Sequence, residues 1–288
     1  MAYLIHLAIL ISIYAILGLS LNLVVGYTGL LSMAQAAFYG VGAYATALLM
    51  VNMGWNFFAA ALFGMALTAV VAFIIGMVMS KFDGDYYALA SLGLGVIIYS
   101  IFLNWQGLTN GPLGIPGIPR PNLFGFAFFD NLSFLLLSAF FVLLTYLASR
   151  FIVNSSFGRI LKAVREDEKA IQVFGYKTLN YKLTIFVIGA MMAAFAGSLY
   201  AAYITYIDPS TFSVNGSIFI IAIIILGGLA SLRGSLIGAV FLVLLPEFLR
   251  FVGFPDEIAA QMRQAVYGLL LILLMLYRPQ GLVGEYKL

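Results

Sequence analysis

Apolar residues run along this chain in long blocks separated by short polar or Pro/Gly-containing intervals. A bilayer core about 30 Å thick is crossed by roughly 20 helical residues. By that measure the blocks at 4–25, 29–53, 56–80, 86–104, 132–151, 182–206, 216–232, 235–253 and 262–278 predict nine spans, with eight and ten as the bounds. They are continuously apolar and lack the period-two alternation of a membrane barrel. The pattern predicts an all-α, polytopic helical membrane protein forming one transmembrane domain over residues 1–288.

Composition agrees. The chain is 64% hydrophobic and 9% charged, with a mean hydropathy of +1.08, whereas soluble domains carry about 25% charge. No acidic or basic residue precedes Lys81 and Asp83, an interval that only lipid accommodates. The opening MAYLIHLAIL lacks a basic region and reads as the start of a span rather than a cleaved leader. There is no cysteine, and the single His6 reads as an interfacial structural group.

Interval 150–182 holds Arg150, Arg159, Lys162, Arg165, Lys169, Lys177 and Lys182, half of all Lys and Arg, which predicts a cytoplasmic loop. Counting spans outward puts Lys81, Arg233, Arg278 and Lys287 on that side. Intervals 105–131 and 205–215 then lie outside, with the N-terminus outside and the C-terminus inside. Arg120, Arg250 and Arg263 fall outside, as a minority.

Some spans carry interruptions. GYTGLLSMAQAAFYGVGAYA contains Gly26, Gly29, Gly40 and Gly42, which either break a helix around a cavity or let helices pack closely. Ala193, Gly197 and Ala201 share one helix face, as do Gly234 and Gly238, and both sets read as packing seams. Segment 105–131 holds Pro112, Pro116, Pro119 and Pro121 among glycines, so no regular helix is expected there. It reads as a docking surface, a cap or a plain connector.

The stretch GRILKAVREDEKAIQVFGYKTLNYK, residues 158–182, carries nine of the 25 charged residues. On a helical wheel Ile160, Ala163, Val164, Ala170, Ile171 and Phe174 share one face. Arg159, Lys162, Arg165, Glu166, Lys169 and Gln172 share the other. Asp167 falls on the apolar face, which predicts a break into two short helices there. Ser156 is the expected N-cap and Gly175 the residue just past the last turn. A helix lying on the membrane surface is one reading. The adjacent carboxylates Glu166, Asp167 and Glu168, which an anionic leaflet repels, favour a protein partner.

Catalytic chemistry finds no residues: no P-loop, no HExxH, no cysteine cluster, hence no catalytic and no metal site. Proton- or ion-coupled carriers bury acidic groups in their spans. The best candidate here, Glu247 in LLPEFLR, sits near a span end with Arg250 as its neighbour. What remains is a membrane protein without energy chemistry of its own, and the residues alone leave channels and carriers open.

Three stretches carry a resemblance: SLNLVVGYTGLLSMAQAAFYGVGAYATALL at 20–49, LTNGPLGIPGIPRPNLFG at 108–125 and FGRILKAVREDEKAIQVFGYKTLNYKLTIFVIGAMMAAFAGSLYA at 157–201. The closing RPQGLVG at 278–284 fits as well. The chain resembles the permease subunits of branched-chain amino-acid ABC transporters, LivM type. The resemblance implies a prokaryotic inner-membrane importer subunit working with a sister permease, two cytoplasmic ATPase subunits and an external substrate-binding protein. ATP and Mg would lie on the ATPases and no cofactor on this chain. No nucleic acid is expected as partner.

The charged loop 154–181 is then similar to a coupling helix docked on an ATPase, with Arg165, Glu166, Asp167, Glu168 and Gly175 as coupling residues. The general importer pattern has Glu-Ala-Ala followed by glycine, whereas this chain reads Glu168-Lys169-Ala170 with Gly175 beyond. The substrate pathway is expected along the neutral hydrogen-bonding residues Asn22, Thr28, Ser32 and Gln35, which would meet a zwitterionic amino acid away from water. Related systems carry other amino acids, urea or short amides, so branched-chain substrates are the expectation rather than a reading of side chains.

Overall fold

The computed structural model of the protein describes residues 2–123, 126–128, 130–251, 265–266, 268–269, 272–273, 276 and 280–284. Its long helices are α1 (Ala2–Leu21), α2 (Gln35–Met53), α3 (Phe57–Met79), α4 (Asp85–Asn104), α6 (Asn131–Asn154) and α9 (Thr178–Ile204). Among the described residues six helices, with the first counted as Tyr3–Gly26, are long and apolar enough to cross a membrane. The described residues also include a four-residue helix α5 (Gln106–Thr109), the paired helices α7 (Ser156–Glu166) and α8 (Glu168–Val173), then α10 (Val214–Gly227) and α11 (Leu232–Phe251).

The expected block 216–232 is shorter than a span: α10 has 14 residues, about 21 Å of helix. Of the expected block 262–278 only 265–266, 268–269, 272–273 and 276 are described, all of them helical, and the Arg250 side chain lies outside the described residues. Strands do occur, among the described residues only as two-residue pairings. Ile115–Pro116 (β1) pairs with Tyr206–Ile207 (β4), and Asn122–Leu123 (β2) with Phe126–Ala127 (β3).

The second span begins later than expected. After α1 the chain continues through a π-helical stretch, Asn22–Gly26, and stays helical to Thr28. Residues 29–34 are then not helical, and α2 starts at Gln35 instead of 29. The backbone there is tied elsewhere: the Met33 N–H donates to Ser91 Oγ of α4 at 2.9 Å. Gln35 Nε2 donates to Ser20 Oγ at 2.7 Å, which sets the start of α2 about two turns inside the end of the first span. Among the four glycines of this region, Gly40 and Gly42 sit within the continuous helix α2, so close packing and not breakage is their role.

Lipid tails are as apolar as leucine, so spans are held together by close packing and hydrogen bonds rather than by burial from water. The α2–α9 seam shows how. A Cβ on Gly42 would lie 2.2 Å from the Ala194 carbonyl oxygen, and one on Gly197 would lie 2.0 Å from the Tyr39 carbonyl oxygen. Four residues beyond the Gly42–Ala194 contact on both helices, Thr46 Oγ1 and Ser198 Oγ share a hydrogen bond of 2.7 Å, so α2 and α9 run parallel. Gly238 likewise lets α11 approach the backbone of α10 at Ile223 and Gly227. His6 is structural, its Nδ1 bonding the Tyr203 hydroxyl at 2.7 Å.

Contacts sort the loops into two opposite ends. One end gathers 54–56, 105–130 and 205–213: Asn56 Nδ2 donates to the Asn122 carbonyl, the Tyr206 hydroxyl to the Leu113 carbonyl, and the Ile118 N–H to the Thr205 carbonyl. Buried Ile115 and Ile118 join the main core, so the described part of the Pro/Gly-rich segment is a packed cap, not a plain connector. In the neighbouring turn, burial works to raise the Asp208 carboxyl. Hydrogen bonds from Ser210 and Thr211 outweigh burial and hold it below the usual carboxylate range. The other end gathers 80–84, 155–177 and the turn 228–231, with Ala230 packed into one cluster with Leu23, Tyr27, Leu161 and Ile185.

Candidate functional site

The charged segment folds as two helices around Asp167, as the misplaced carboxylate predicted. Asp167 is extended (φ −155°, ψ 99°), ends α7, and caps α8 by accepting from the Ala170 N–H at 3.0 Å. The N-cap of α7 is Ser155, one residue before the expected Ser156, its hydroxyl accepting from the Gly158 N–H. Gly175 follows α8 with φ +86°, the left-handed region open to glycine. Its N–H bonds the Gln172 carbonyl and that of Tyr176 bonds the Ile171 carbonyl, the Schellman pattern that closes a helix end.

The segment is fastened to two different spans. Arg165 donates to the Gly26 carbonyl, one of the acceptors that a helix end leaves unsatisfied. A cation there also suits the negative end of the helix dipole. Lys162 Nζ stands 5.6 Å from the centre of the Tyr27 ring. Leu161 and Val164 are buried beneath α7. Helix α7 therefore rides on the end of the first span.

Helix α8 is fastened to α9. Glu168 takes both oxygens to Lys182 Nζ, at 2.8 and 3.0 Å. The Thr178 hydroxyl donates to Glu168 Oε1 at 2.8 Å, and Gln172 Nε2 donates to Thr178 Oγ1 at 3.0 Å. Asp83, on the α3–α4 turn, approaches Lys182 at 3.9 Å. Glu168 thus faces inward, away from the acidic cluster in which the sequence placed it. Lys182, Thr178 and Gln172 were not among the expected site residues. Their signal was present: Glu168/Gln172 and Thr178/Lys182 are i,i+4 pairs on either side of the Gly175 turn, each pair on one helix face.

The outer surface of the segment differs from the wheel. Phe174, expected on the inner apolar face, is 78% exposed, and Val173 is 87% exposed. The turn at Asp167 resets the rotational phase, so a single wheel does not carry through both helices. Val173, Phe174 and Tyr176 form an exposed apolar edge beside exposed Glu166, Lys169 and Lys177. Between this segment and the span ends lies a cleft of about 750 Å³, whose walls include Thr28, Gly29, Asp83, Arg165, Glu166 and Lys182.

The four expected pathway residues are not one cluster. Asn22 is fully buried, with Nδ2 donating to the Ser231 carbonyl at 2.9 Å and Ser235 Oγ at 2.6 Å, and Oδ1 accepting from the Ala230 N–H at 2.9 Å. It pins the turn between α10 and α11, where Ala230 holds a positive φ of 57°. Thr28 Oγ1 donates to the Val24 carbonyl and borders the cleft. Gln35 bonds Ser20 as described. Ser32 is fully buried within the 29–34 break, and its hydroxyl has no partner among the described residues; the Tyr39 and Tyr44 hydroxyls share that condition. Among the described residues no group of three or more His, Cys, Asp or Glu is placed to hold a metal ion.

The family described as branched-chain amino acid transport system / permease component matches residues 3–275. The LivM permease protein of the Escherichia coli K12 high-affinity branched-chain amino acid transport system is 35% identical over an alignment 305 positions long, spanning 97% of this chain and 69% of that protein. A probable LivM permease protein of Methanocaldococcus jannaschii is 25% identical over 320, spanning 95% and 91%. The LivH permease protein of Escherichia coli K12 is 29% identical over 294, spanning 95% and 92%. No solved structure matches the chain.

Proposed function

The chain belongs to the permease components of branched-chain amino acid transport systems, and on that premise we propose how it works as a subunit of an ATP-driven importer. It is a multi-pass inner-membrane transport subunit, not an enzyme. With a sister permease it forms the membrane pathway. An external binding protein delivers a branched-chain amino acid, and two ATPase subunits holding ATP and Mg drive the cycle. Loop 154–181 lies in the cytoplasm, following its excess of basic residues. The cap at 105–131 and the N-terminus face outward, and the C-terminus inward.

One observation carries this reading: the segment is fastened inward on two spans while its outer edge leaves Val173 and Phe174 uncovered. A helix merely lying on lipid would turn that apolar edge toward the bilayer together with its buried face. An apolar edge ringed by both signs of charge suits a protein cleft. ATP-driven closure of the ATPases pulls this segment, and the attached spans rock to expose the pathway to alternate sides. The pathway passes the 29–34 break, since irregular backbone at membrane depth is stable where it is covered by protein or lines a polar cavity. Thr28, Ser32 and Gln35 then offer hydrogen bonds to the solute, and Asn22 shapes the wall behind them.

Uptake of labelled leucine and of labelled urea by cells lacking this chain, with and without its gene restored, tests the assignment. Leucine uptake is expected to return with the gene, to stop on ATP depletion and to survive a proton uncoupler. Restoration of urea uptake alone would move the substrate class. Uptake abolished by the uncoupler at full ATP would point to a secondary carrier.

A further inference from the structure

We propose that the Glu168–Lys182 ion pair is the rigid joint through which movement of α8 reaches α9, making these two residues positioning residues for transport. The inference rests on the reading of α7–α8 as the segment that an ATPase moves. Three observations single out this pair. Lys182 is 10% exposed and Glu168 30%, so the pair is largely withdrawn from water, where a two-pronged carboxylate contact holds its geometry better than a solvated one. The Gly175 turn lies between them, and a glycine turn alone transmits little torque. The joined helix is the central one: α9 runs 27 residues and lies backbone to backbone with α2 at Gly42 and Gly197.

Force applied to the exposed edge at Phe174 therefore has a short stiff route. It passes from α8 through Glu168 and Lys182 into the second turn of α9. From α9 it passes across the seam to α2 and the break at 29–34. Gln172 and Thr178 brace the carboxylate so that it does not swing when pulled. Asp83, 88% exposed and 3.9 Å away, is too loose to replace it. Arg165, by contrast, ties α7 to the first span. Helix α7 also packs on α9, through Phe157 against Tyr181 and Leu161 beside Ile185, but α8 reaches α9 through the charged Glu168–Lys182 tie.

The complete transporter, with its ATPases, reconstituted in vesicles gives the test. Bound ATPase, ATP hydrolysis and leucine uptake are measured on the same preparation. Lys182→Met is expected to keep the ATPases bound and hydrolysis near the original rate while uptake falls about 10-fold, within the range that removal of one coupling contact produces. The chain has no cysteine, so Glu168→Cys with Lys182→Cys can be joined by a short dimaleimide. Linking is expected to restore most of the uptake to the same folded protein, a gain that a role in folding alone would not give. Normal uptake by Lys182→Met, loss of the ATPases from that variant, or no recovery on linking would each overturn the joint. Absence of ATPases from the unaltered complex would instead sink the reading on which it rests.

Discussion

Gly197→Leu is expected to leave little folded permease in the membrane. The position faces the backbone of α2, where even a Cβ would stand 2.0 Å from the Tyr39 carbonyl oxygen and 2.9 Å from the Ala43 nitrogen. Backbone atoms in two helices do not yield as a flexible side chain does, so the helices must part. Parting strips the neighbouring Thr46–Ser198 hydrogen bond and the close contact at Gly42. With no hydrophobic drive in lipid to press the helices together again, the loss belongs with severe overpacking, about 4 kcal/mol or more. Thermal unfolding in detergent is expected to fall by about 10 °C, with a matching loss of membrane yield. A variant as stable as the original would show that α2 and α9 do not pack as described.

Phe174→Glu is expected to release the ATPase subunits without disturbing the permease. The ring is 78% exposed and α8 has no buried residue, so the substitution removes nothing that holds the chain together. If this edge fills a pocket on the partner, losing an aromatic anchor and adding a charge costs about 2 kcal/mol or more, some 30-fold in affinity. Copurification of the ATPases with the tagged permease measures it, and an unchanged yield of permease itself is part of the expected result. Undiminished copurification would place the docking surface elsewhere.

Several features were legible before any coordinates because a single physical rule fixed each. The length of apolar runs fixed most spans. The four-residue spacing of Ala193, Gly197 and Ala201 gave the seam on α9, and Gly197 indeed meets α2 there. Asp167, a carboxylate on an apolar face, gave the break between α7 and α8, and Gly175 the end of α8.

What escaped were features set by partners distant in sequence. Residues 29–34 include Leu30, Leu31, Met33 and Ala34, which read as helix. Ser91 takes the Met33 N–H, and the π-helical turn before it follows Asn22, whose side chain is spent on residues 230–235. Glu168 looked like part of an outward acidic cluster because its counter-ion is 14 residues away, across a turn. Phe174 looked inward because one wheel was drawn through two helices. The pathway residues follow the same logic. Neutral polar side chains in apolar sequence signal a hydrogen bond, and for Asn22 that bond turned out to be with the α10–α11 turn.

Residues around 174 are proposed to present a cytoplasmic face to an ATPase. The chain's lack of cysteine makes Phe174→Cys the most direct probe, labelled by a membrane-impermeant maleimide in oriented vesicles. Labelling is expected from the cytoplasmic side when the permeases are present without ATPases, with strong protection once the ATPases are bound. Labelling from the external side only, or equal labelling with and without bound ATPases, would contradict it.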